Sequence, residues 1–243
     1  MIVLIITAVR VKSMDSHRIS GRILAENIAG PGMLRLVEQS MQARARKTSV
    51  TEIAVKERKH PQAALTFDDG PDIMYTPLLL DGLKERNVRV SFFLLGEKVE
   101  QYPELVERMQ KEGHLVGNHT YHHVQLNKLN ETKAREEILK TNNLIYETTG
   151  VYPLYLRPPF GAWKKNLELC VEMLPVFWTI DTLDWKVQNT EKIVRTVQEQ
   201  IEDGAIILMH DEYDTSVEAA LQVVDELKNQ GYELVTVDQL ILP

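Results

Sequence analysis

The feature that most constrains the fold of this chain is a regular alternation of short apolar runs with longer amphipathic stretches, from about residue 60 to the C-terminus. The seven apolar runs are Ala63–Phe67, Val88–Leu95, His114–Gly117, Tyr155–Arg157, Val176–Ile180, Ala205–Met209 and Glu233–Val237. The amphipathic stretches are Tyr75–Asn87, Pro103–Gly113, Thr132–Gly150, Lys164–Leu174, Thr190–Gly204 and Thr215–Gly231. This alternation predicts parallel strands with helices packed outside them. Seven strands suit a barrel or an open doubly wound sheet, and periodicity alone does not choose between the two.

Local signals predict where several helices begin and end. Thr215 and Glu218 have the spacing of a capping box at a helix N-terminus. Glycines stand where helix C-termini are expected, at Gly113, Gly150, Gly204 and Gly231. No glycine-rich phosphate-binding loop follows the first apolar run, which argues against a nucleotide-binding sheet.

The charge of the chain is divided unevenly. Residues 1–60 carry 11 Lys and Arg against 5 Asp and Glu, and the remainder carries 17 against 30, which together give the net charge of −7. An acidic domain with a basic flank is not typical of a nucleic-acid-binding protein. We therefore predict a basic N-terminal extension over residues 1–59 and a single main domain over residues 60–243. The lone Cys170 excludes an internal disulfide and a cysteine-rich zinc site.

The N-terminal extension opens on the apolar segment Ile2–Val9. This segment is shorter than the roughly 20 residues that span a bilayer, and no positive residue precedes it. It could be the remnant of a truncated signal or anchor, an extra strand, or an interfacial segment. The basic residues that follow could form a solvated tether or lie against an anionic membrane or wall polymer.

Polar residues follow five of the seven apolar runs, at the point where each predicted strand ends. These residues are Asp68 and Asp69, the segment Asn118–His123, Arg157, the segment Asp181–Trp185, and His210. Parallel α/β barrels place their active sites at the C-terminal ends of their strands. The sequence therefore predicts one site at which all five groups meet.

Two histidines and a carboxylate indicate a metal centre in this site. His119 and His123 have i,i+4 spacing, which on a helical turn places both imidazoles on one face. Asp69, at another strand end, supplies a third ligand. Two histidines and one carboxylate with open coordination positions are typical of a catalytic metal site.

The adjacent carboxylates of Asp68 and Asp69 would repel each other without a nearby cation. Successive side chains of an extended segment point to opposite sides, so one carboxylate can bind metal while the other stays free. The free carboxylate can accept a proton from a water that the metal activates.

Three further residues have predicted roles in acid–base chemistry. His210 ends an apolar run, and with Asp184 as an orienting carboxylate it is a candidate general acid. Arg157 precedes two prolines, which prevent the backbone from becoming helical, and we expect its guanidinium to hold Asp68 in a bidentate contact.

In order along the chain, five motifs resemble those of the polysaccharide deacetylase family, also called the NodB-homology or carbohydrate esterase family 4 domain. The motifs are TFDDGP (Thr66–Pro71), HTYHH (His119–His123), RPPFG (Arg157–Gly161), DTLDW (Asp181–Trp185) and LMH (Leu208–His210). The resemblance extends from about residue 60 to the C-terminus and leaves residues 1–59 outside it. It implies an α/β fold, a distorted (β/α)7 TIM-like barrel with a short N-terminal extension.

The resemblance also implies a role for each residue of the site. Asp69, His119 and His123 would bind a divalent metal ion, usually zinc, with cobalt or another divalent ion as the alternative. Asp68 would be the base that activates water, oriented by Arg157.

His210 would protonate the leaving amine, with its proton affinity tuned by Asp184. Phe160 stands where the family often has a tyrosine whose backbone N–H helps to bind the oxyanion. Trp185 and Leu208 resemble the walls of the acetyl pocket.

The function that the resemblance implies is hydrolytic removal of N-acetyl groups from N-acetylglucosamine residues of a polysaccharide, with peptidoglycan as the expected partner. A chitooligosaccharide deacetylase and an O-acetyl xylan esterase are alternatives that use the same metal chemistry. A non-catalytic glycan-binding domain would be expected to lack a ligand or the base, and an unrelated metal-dependent hydrolase could use a similar barrel. Because wall glycans lie outside the membrane, we expect an extracytoplasmic protein, secreted or associated with the wall or the membrane through its N-terminal segment.

Overall fold

The computed structural model describes residues 59–163 and 173–241. Almost all of the predicted N-terminal extension, and most of the predicted helix over Lys164–Leu174, lie outside the described residues. Within the described ranges, no helix combines the length and the apolar character needed to cross a membrane.

Parallel strands form a single sheet. In the described part of the chain they are β1 (Gln62–Asp68), β2 (Ser91–Leu94), β3 (Leu115–Asn118), β4 (Tyr155–Leu156), β5 (Leu174–Pro175), β6 (Ile180–Asp181), β7 (Ala205–His210) and β8 (Glu233–Leu234). Seven of them lie in the order β5-β4-β3-β2-β1-β7-β6, and β8 pairs with the start of β1. This curled seven-stranded sheet with its helices confirms the predicted distorted (β/α)7 barrel.

Helices follow most of the strands. Those in the described ranges are α1 (Tyr75–Glu85), α2 (Gly96–Gln101), α3 (Pro103–Lys111), α4 (Glu131–Thr149), α5 (Asp184–Val187), α6 (Thr190–Gln200), α7 (Asp214–Asn229) and α8 (Val237–Ile241). Single turns of 3₁₀-helix cover Leu126–Lys128 and Pro159–Gly161. Five of the six predicted amphipathic stretches are confirmed as helices, namely α1, α3, α4, α6 and α7.

The predicted strand over Val176–Ile180 was wrong in its bounds, because two short strands, β5 and β6, flank this segment instead. Between them, the carbonyl oxygens of Val176 and Phe177 accept hydrogen bonds of 3.4 and 3.5 Å from the Arg157 guanidinium. The seven-stranded path therefore includes both short strands, and the run at Glu233 forms the additional strand β8.

Two predictions of helix ends were also wrong. Helix α7 begins at Asp214, whose Oδ1 accepts the Thr215 N–H at 2.8 Å. The predicted capping box does not form, because the Glu218 carboxylate accepts a hydrogen bond of 2.9 Å from the Thr190 hydroxyl. Helix α6 ends at Gln200, so Gly204 lies in the turn that leads into β7.

Strand β1 lies at the centre of the sheet, between β2 and β7. Its alternate residues Ala63, Leu65 and Phe67 join the large apolar core that contains residues of the helices. Ala64 faces the other side and joins a small cluster with Phe93. Because side chains alternate along a strand, Thr66 and Asp68 also face the inside of the barrel.

Close packing inside the barrel requires a glycine on β3. A Cβ atom added at Gly117 would lie 2.7 Å from the Phe93 ring and 3.1 Å from the Tyr155 carbonyl oxygen. The same ring lies 4.3 Å from the centre of the Arg157 guanidinium. Gly117 therefore leaves room for the ring that supports this buried arginine.

We expect Gly117→Ala to lower the free energy of unfolding by about 2–3 kcal/mol, because the added methyl group overpacks the barrel interior against both the Phe93 ring and the Tyr155 carbonyl oxygen. Urea denaturation with a measured midpoint and slope tests this. Gly150→Ala is the matched control, since its Cβ would meet nothing within 4 Å and only its left-handed backbone (φ 72°) is strained, at a cost of about 1 kcal/mol. A loss for Gly117→Ala no larger than that of the control would contradict the packing argument.

Candidate active site

The carboxyl ends of β1, β3, β4, β6 and β7 bring together the polar residues that the sequence singled out. Asp68 is the last residue of β1, and in the register of the sheet it lies opposite His210, the last residue of β7. Asp69 leaves the strand in a left-handed conformation, with φ 69°. The pair is therefore not one extended segment, and the turn at Asp69 directs both carboxylates toward His119.

Asp68 is buried and held by an equally buried arginine. The Arg157 Nη1 donates to Asp68 Oδ1 at 2.7 Å and to the Thr66 hydroxyl at 2.7 Å. The contact with Asp68 therefore uses one guanidinium nitrogen, and the bidentate contact expected from the sequence was wrong. Thr66 takes the second bond because it lies two residues before Asp68 on the same face of β1.

The backbone of Arg157 fixes a second residue of the site. Its carbonyl oxygen lies 2.6 Å from His119 Nδ1. Because a carbonyl oxygen only accepts hydrogen bonds, Nδ1 carries a proton, so that in the neutral ring the lone pair lies on Nε2. This is the tautomer that a metal-binding histidine needs, with its outer nitrogen fixed by a hydrogen bond.

His119 and His123 lie on an irregular loop after β3, so the helical turn expected from their spacing was wrong. Thr120 and His123 both adopt left-handed conformations, with φ 67° and 54°. These two reversals, in place of a helix, bring the imidazole rings to a centroid distance of 5.1 Å.

Asp69, His119 and His123 form a group with the geometry of a metal site. Asp69 Oδ1 lies 3.3 Å from His119 Nε2 and 3.4 Å from His123 Nε2. One potential ligand atom from each of the three residues lies within 4.8 Å of the others. The same Asp69 oxygen is buried and has no hydrogen-bond partner among the described residues. A carboxylate oxygen without a partner between two imidazole nitrogens fits a divalent cation.

The charges around this group favour the forms that bind metal. Burial would raise the pKa of Asp69, but contact with His119 and the charges of His119, His123 and His210 lower it well below its ordinary value. Burial lowers the pKa of His123, and the attraction of Asp69 only partly opposes this effect. An ionised carboxylate and a neutral imidazole are the ligand forms that a metal requires.

His210 lies across from this group and is paired with Asp184. Its Nδ1 lies 2.8 Å from Asp184 Oδ1, and its backbone N–H donates to Asp184 Oδ2 at 2.8 Å. Burial opposes the charged ring, but the hydrogen bond to Asp184 and the negative charges of Asp184, Asp68 and Asp69 outweigh burial and raise the pKa of His210 to about 9. His210 Nε2 lies 3.8 Å from Asp69 Oδ2, so the acidic end of the ring faces the metal group.

The three residues predicted to bind substrate lie in different settings. Phe160 is exposed, adopts a left-handed conformation (φ 59°), and places its ring 4.5 Å from that of His123. Trp185 is half exposed on the short helix α5. Leu208 is buried on β7, two residues before His210 and hence on the same face of the strand.

Two residues that support the site were not singled out from the sequence. Thr66 was visible as a hydroxyl in an apolar strand, two positions before Asp68, which is the spacing of a shared face. Glu137, on helix α4, accepts hydrogen bonds from the loop that carries the histidines. Its contacts depend on tertiary structure, and no local signal indicated them.

A known protein family, several individual proteins and solved structures are similar to this chain. The family model for "Polysaccharide deacetylase" matches residues 55–176. The peptidoglycan-N-acetylglucosamine deacetylase PgdA of Listeria monocytogenes is 42% identical over 185 residues, which are 76% of this chain and 40% of the relative. A peptidoglycan-N-acetylglucosamine deacetylase of Bacillus cereus is 40% identical over 186 residues, covering 74% of this chain and 68% of the relative.

The peptidoglycan-N-acetylmuramic acid deacetylase PdaC of Bacillus subtilis is 43% identical over 177 residues, covering 73% of this chain and 38% of the relative. A solved structure of PdaC superimposes with a TM-score of 0.73 at 42% identity, over 75% of this chain and 91% of that structure. This chain thus spans about two fifths of the length of PgdA and of PdaC. The chain belongs to the polysaccharide deacetylase family.

Proposed function

We propose that this protein is a metal-dependent hydrolase that removes N-acetyl groups from N-acetylglucosamine residues of peptidoglycan. The observation that carries the proposal is the Asp69 oxygen that lies between His119 and His123 without a hydrogen-bond partner among the described residues, with Asp68 and His210 beside this group. Amide hydrolysis needs an activated water, a stabilised oxyanion and a protonated leaving nitrogen. The residues around this group can supply each of these.

Asp69, His119 and His123 are the proposed ligands of the cation, and two histidines with one carboxylate favour zinc. When bound, a divalent cation supplies Lewis acidity, which polarises an acyl oxygen and makes water more acidic. Cobalt suits the same donor set and is the alternative.

Asp68 is the proposed base. Its Oδ1 is engaged by Arg157, whereas its Oδ2 lies 3.7 Å from His119 Nε2, on the side of the metal group. The buried guanidinium fixes the orientation of the carboxylate, so that one oxygen stays available to take a proton from water.

His210 is the proposed acid. Because Asp184, together with the charges of Asp68 and Asp69, raises its pKa to about 9, the ring is protonated at neutral pH. Its Nδ1–H is held by Asp184, so the proton on Nε2 is the one that can pass to the leaving nitrogen. Proton transfer to a poor leaving group contributes about 10²–10⁴-fold to such reactions.

Phe160, Trp185 and Leu208 are the proposed substrate contacts. The Phe160 N–H donates to no acceptor among the described residues and is available for the oxyanion. Leu208 offers an apolar surface beside His210, which suits an acetyl methyl group. The exposed ring of Trp185 offers a flat surface to a sugar.

Peptidoglycan is the proposed partner because relatives at 40–43% identity are named for its deacetylation. Two of these three relatives are named for the N-acetylglucosamine residue and one for the N-acetylmuramic acid residue. We therefore favour N-acetylglucosamine as the sugar that is deacetylated. Since this polymer lies outside the cytoplasmic membrane, we further propose an extracytoplasmic location. Contact of the basic N-terminal segment with membrane or wall stays a proposal based on charge alone.

The proposed function predicts acetate release that depends on metal. Purified protein with zinc or cobalt should release acetate from peptidoglycan fragments faster than from chitooligosaccharides or acetylated xylan, and chelation should abolish release. Mass spectrometry of the fragments locates the free amine on one of the two sugars. No metal-dependent release from any substrate would refute the enzyme proposal, and release from xylan alone would favour an O-acetyl esterase.

The neighbouring aspartates should respond differently to the same isosteric change. Asp68→Asn should lower kcat/KM by at least about 10²-fold with little loss of bound metal, because it removes the base. Asp69→Asn serves as the matched variant and should lose metal affinity first. Metal titration beside acetate release measures both effects, and an active Asp68→Asn enzyme would disprove the role of Asp68.

The pH dependence of kcat/KM should reveal the raised pKa of His210 in its pair with Asp184. In the folded protein the pKa of His210 is raised from 6.5 to about 9, so the pair stabilises the fold fully below pH 6.5 and loses this effect as the pH rises through about 9. Activity that needs protonated His210 should fall on this alkaline side. Asp184→Asn should move the alkaline limb of kcat/KM to lower pH, with the same metal loading in both proteins. An unmoved limb would show that another group controls it.

A further inference from the structure

The loop that carries His119 and His123 is attached to helix α4 by one carboxylate. Glu137 Oε2 accepts the backbone N–H of Tyr121 at 3.0 Å and the backbone N–H of His122 at 2.9 Å. Its other oxygen, Oε1, lies 2.8 Å from His122 Nδ1. Because a carboxylate at this distance can only accept, Nδ1 donates, and Glu137 receives three hydrogen bonds from two consecutive residues.

These two residues occupy the middle of the proposed metal loop, between the ligands His119 and His123. The loop has no helical hydrogen bonds of its own, and Thr120 and His123 are in left-handed conformations that a non-glycine residue rarely adopts. Such a conformation persists only where the surrounding structure holds it. Glu137 contributes to that hold at Tyr121 and His122, the two residues that lie between these reversals.

Helix α4 also holds the start of the loop. Asn118 Nδ2 donates to the Ile138 carbonyl at 2.9 Å and to Asn142 Oδ1, and Asn118 Oδ1 accepts the Thr120 N–H at 2.7 Å. Ile138 is the next residue after Glu137 on this helix, and Asn142 lies about one and a half turns after Glu137. One helix thus contacts the loop both before and within the span between the two histidines.

We propose that Glu137 is a positioning residue that sets the distance between the two histidine ligands and thereby the affinity of the metal centre. The inference rests on the proposed metal site and goes beyond it, because Glu137 does not belong to the ligand group. Hydrogen bonds from N–H groups to a charged carboxylate are stronger than those to a neutral acceptor. Outer contacts of this kind typically change metal affinity about 10–100-fold when they are lost.

The test compares Glu137→Gln with Glu136→Gln in the full chain. Glu136 is the preceding residue of α4, is exposed, and makes no hydrogen bond or ion pair within the described ranges, so its variant removes the same charge without touching the loop. Zinc and cobalt dissociation constants are measured by competition with a chelating dye. The absorption bands of the cobalt-loaded proteins report the ligand geometry.

We expect Glu137→Gln to weaken metal binding about 10–100-fold and to change the cobalt spectrum, while Glu136→Gln matches the wild type. Equal affinities and spectra for the two variants would overturn the proposal. If the wild-type protein binds neither metal, the metal-centre proposal itself fails, and the two failures are thereby distinguished.

His122→Ala keeps the test decisive if Glu137→Gln does not fold. The His122 side chain is 58% exposed, so its removal spares the core while it deletes one of the three bonds to Glu137. We expect a smaller loss of metal affinity, about 3-fold or more, with unchanged thermal stability of the metal-free protein. An unchanged affinity would overturn the proposal in this arm.

Discussion

The buried guanidinium of Arg157 is the interaction on which the rest of this site depends. Its Nη1 binds Asp68 and Thr66 on β1, and its carbonyl oxygen binds His119 on the loop after β3. A buried cation is tolerated only where its charge and its N–H groups are matched, and here they are matched by Asp68 and by carbonyl oxygens. The proposed base and one proposed metal ligand are thus oriented by a single residue.

The side chains inside the barrel lie in layers, with apolar residues in one layer and the polar residues of the site in the layers next to it. Ala64 and Phe93 belong to an apolar cluster, Thr66 and Arg157 form a polar layer next to it, and Asp68 lies at the carboxyl end of the strand. Phe93 joins the first two layers, because its ring contacts both its apolar neighbours and the guanidinium. This order follows directly from the alternation of side chains along parallel strands.

The strand ends that carry the site could be predicted from the sequence, because the apolar runs that lead to Asp68 and His210 are long and unbroken. The form of the histidine loop could not be predicted in this way. An i,i+4 spacing suits a helix, yet the loop reaches the same proximity through two left-handed residues held from a distant helix. The bounds of the two short strands β5 and β6 were missed for a similar reason, since the carbonyl groups of Val176 and Phe177, which lie between these strands, bind Arg157.

The double contact of Asp184 with His210 has a consequence for the direction of proton flow. One carboxylate binds both the ring and the backbone N–H of the same histidine, so the imidazole cannot rotate without breaking the pair. In the proposed reaction, a proton given up from Nε2 must therefore be replaced at Nε2, on the face that held the substrate. Regeneration of the acid then has to draw its proton from the side of the metal group, where Asp68 has taken one from water.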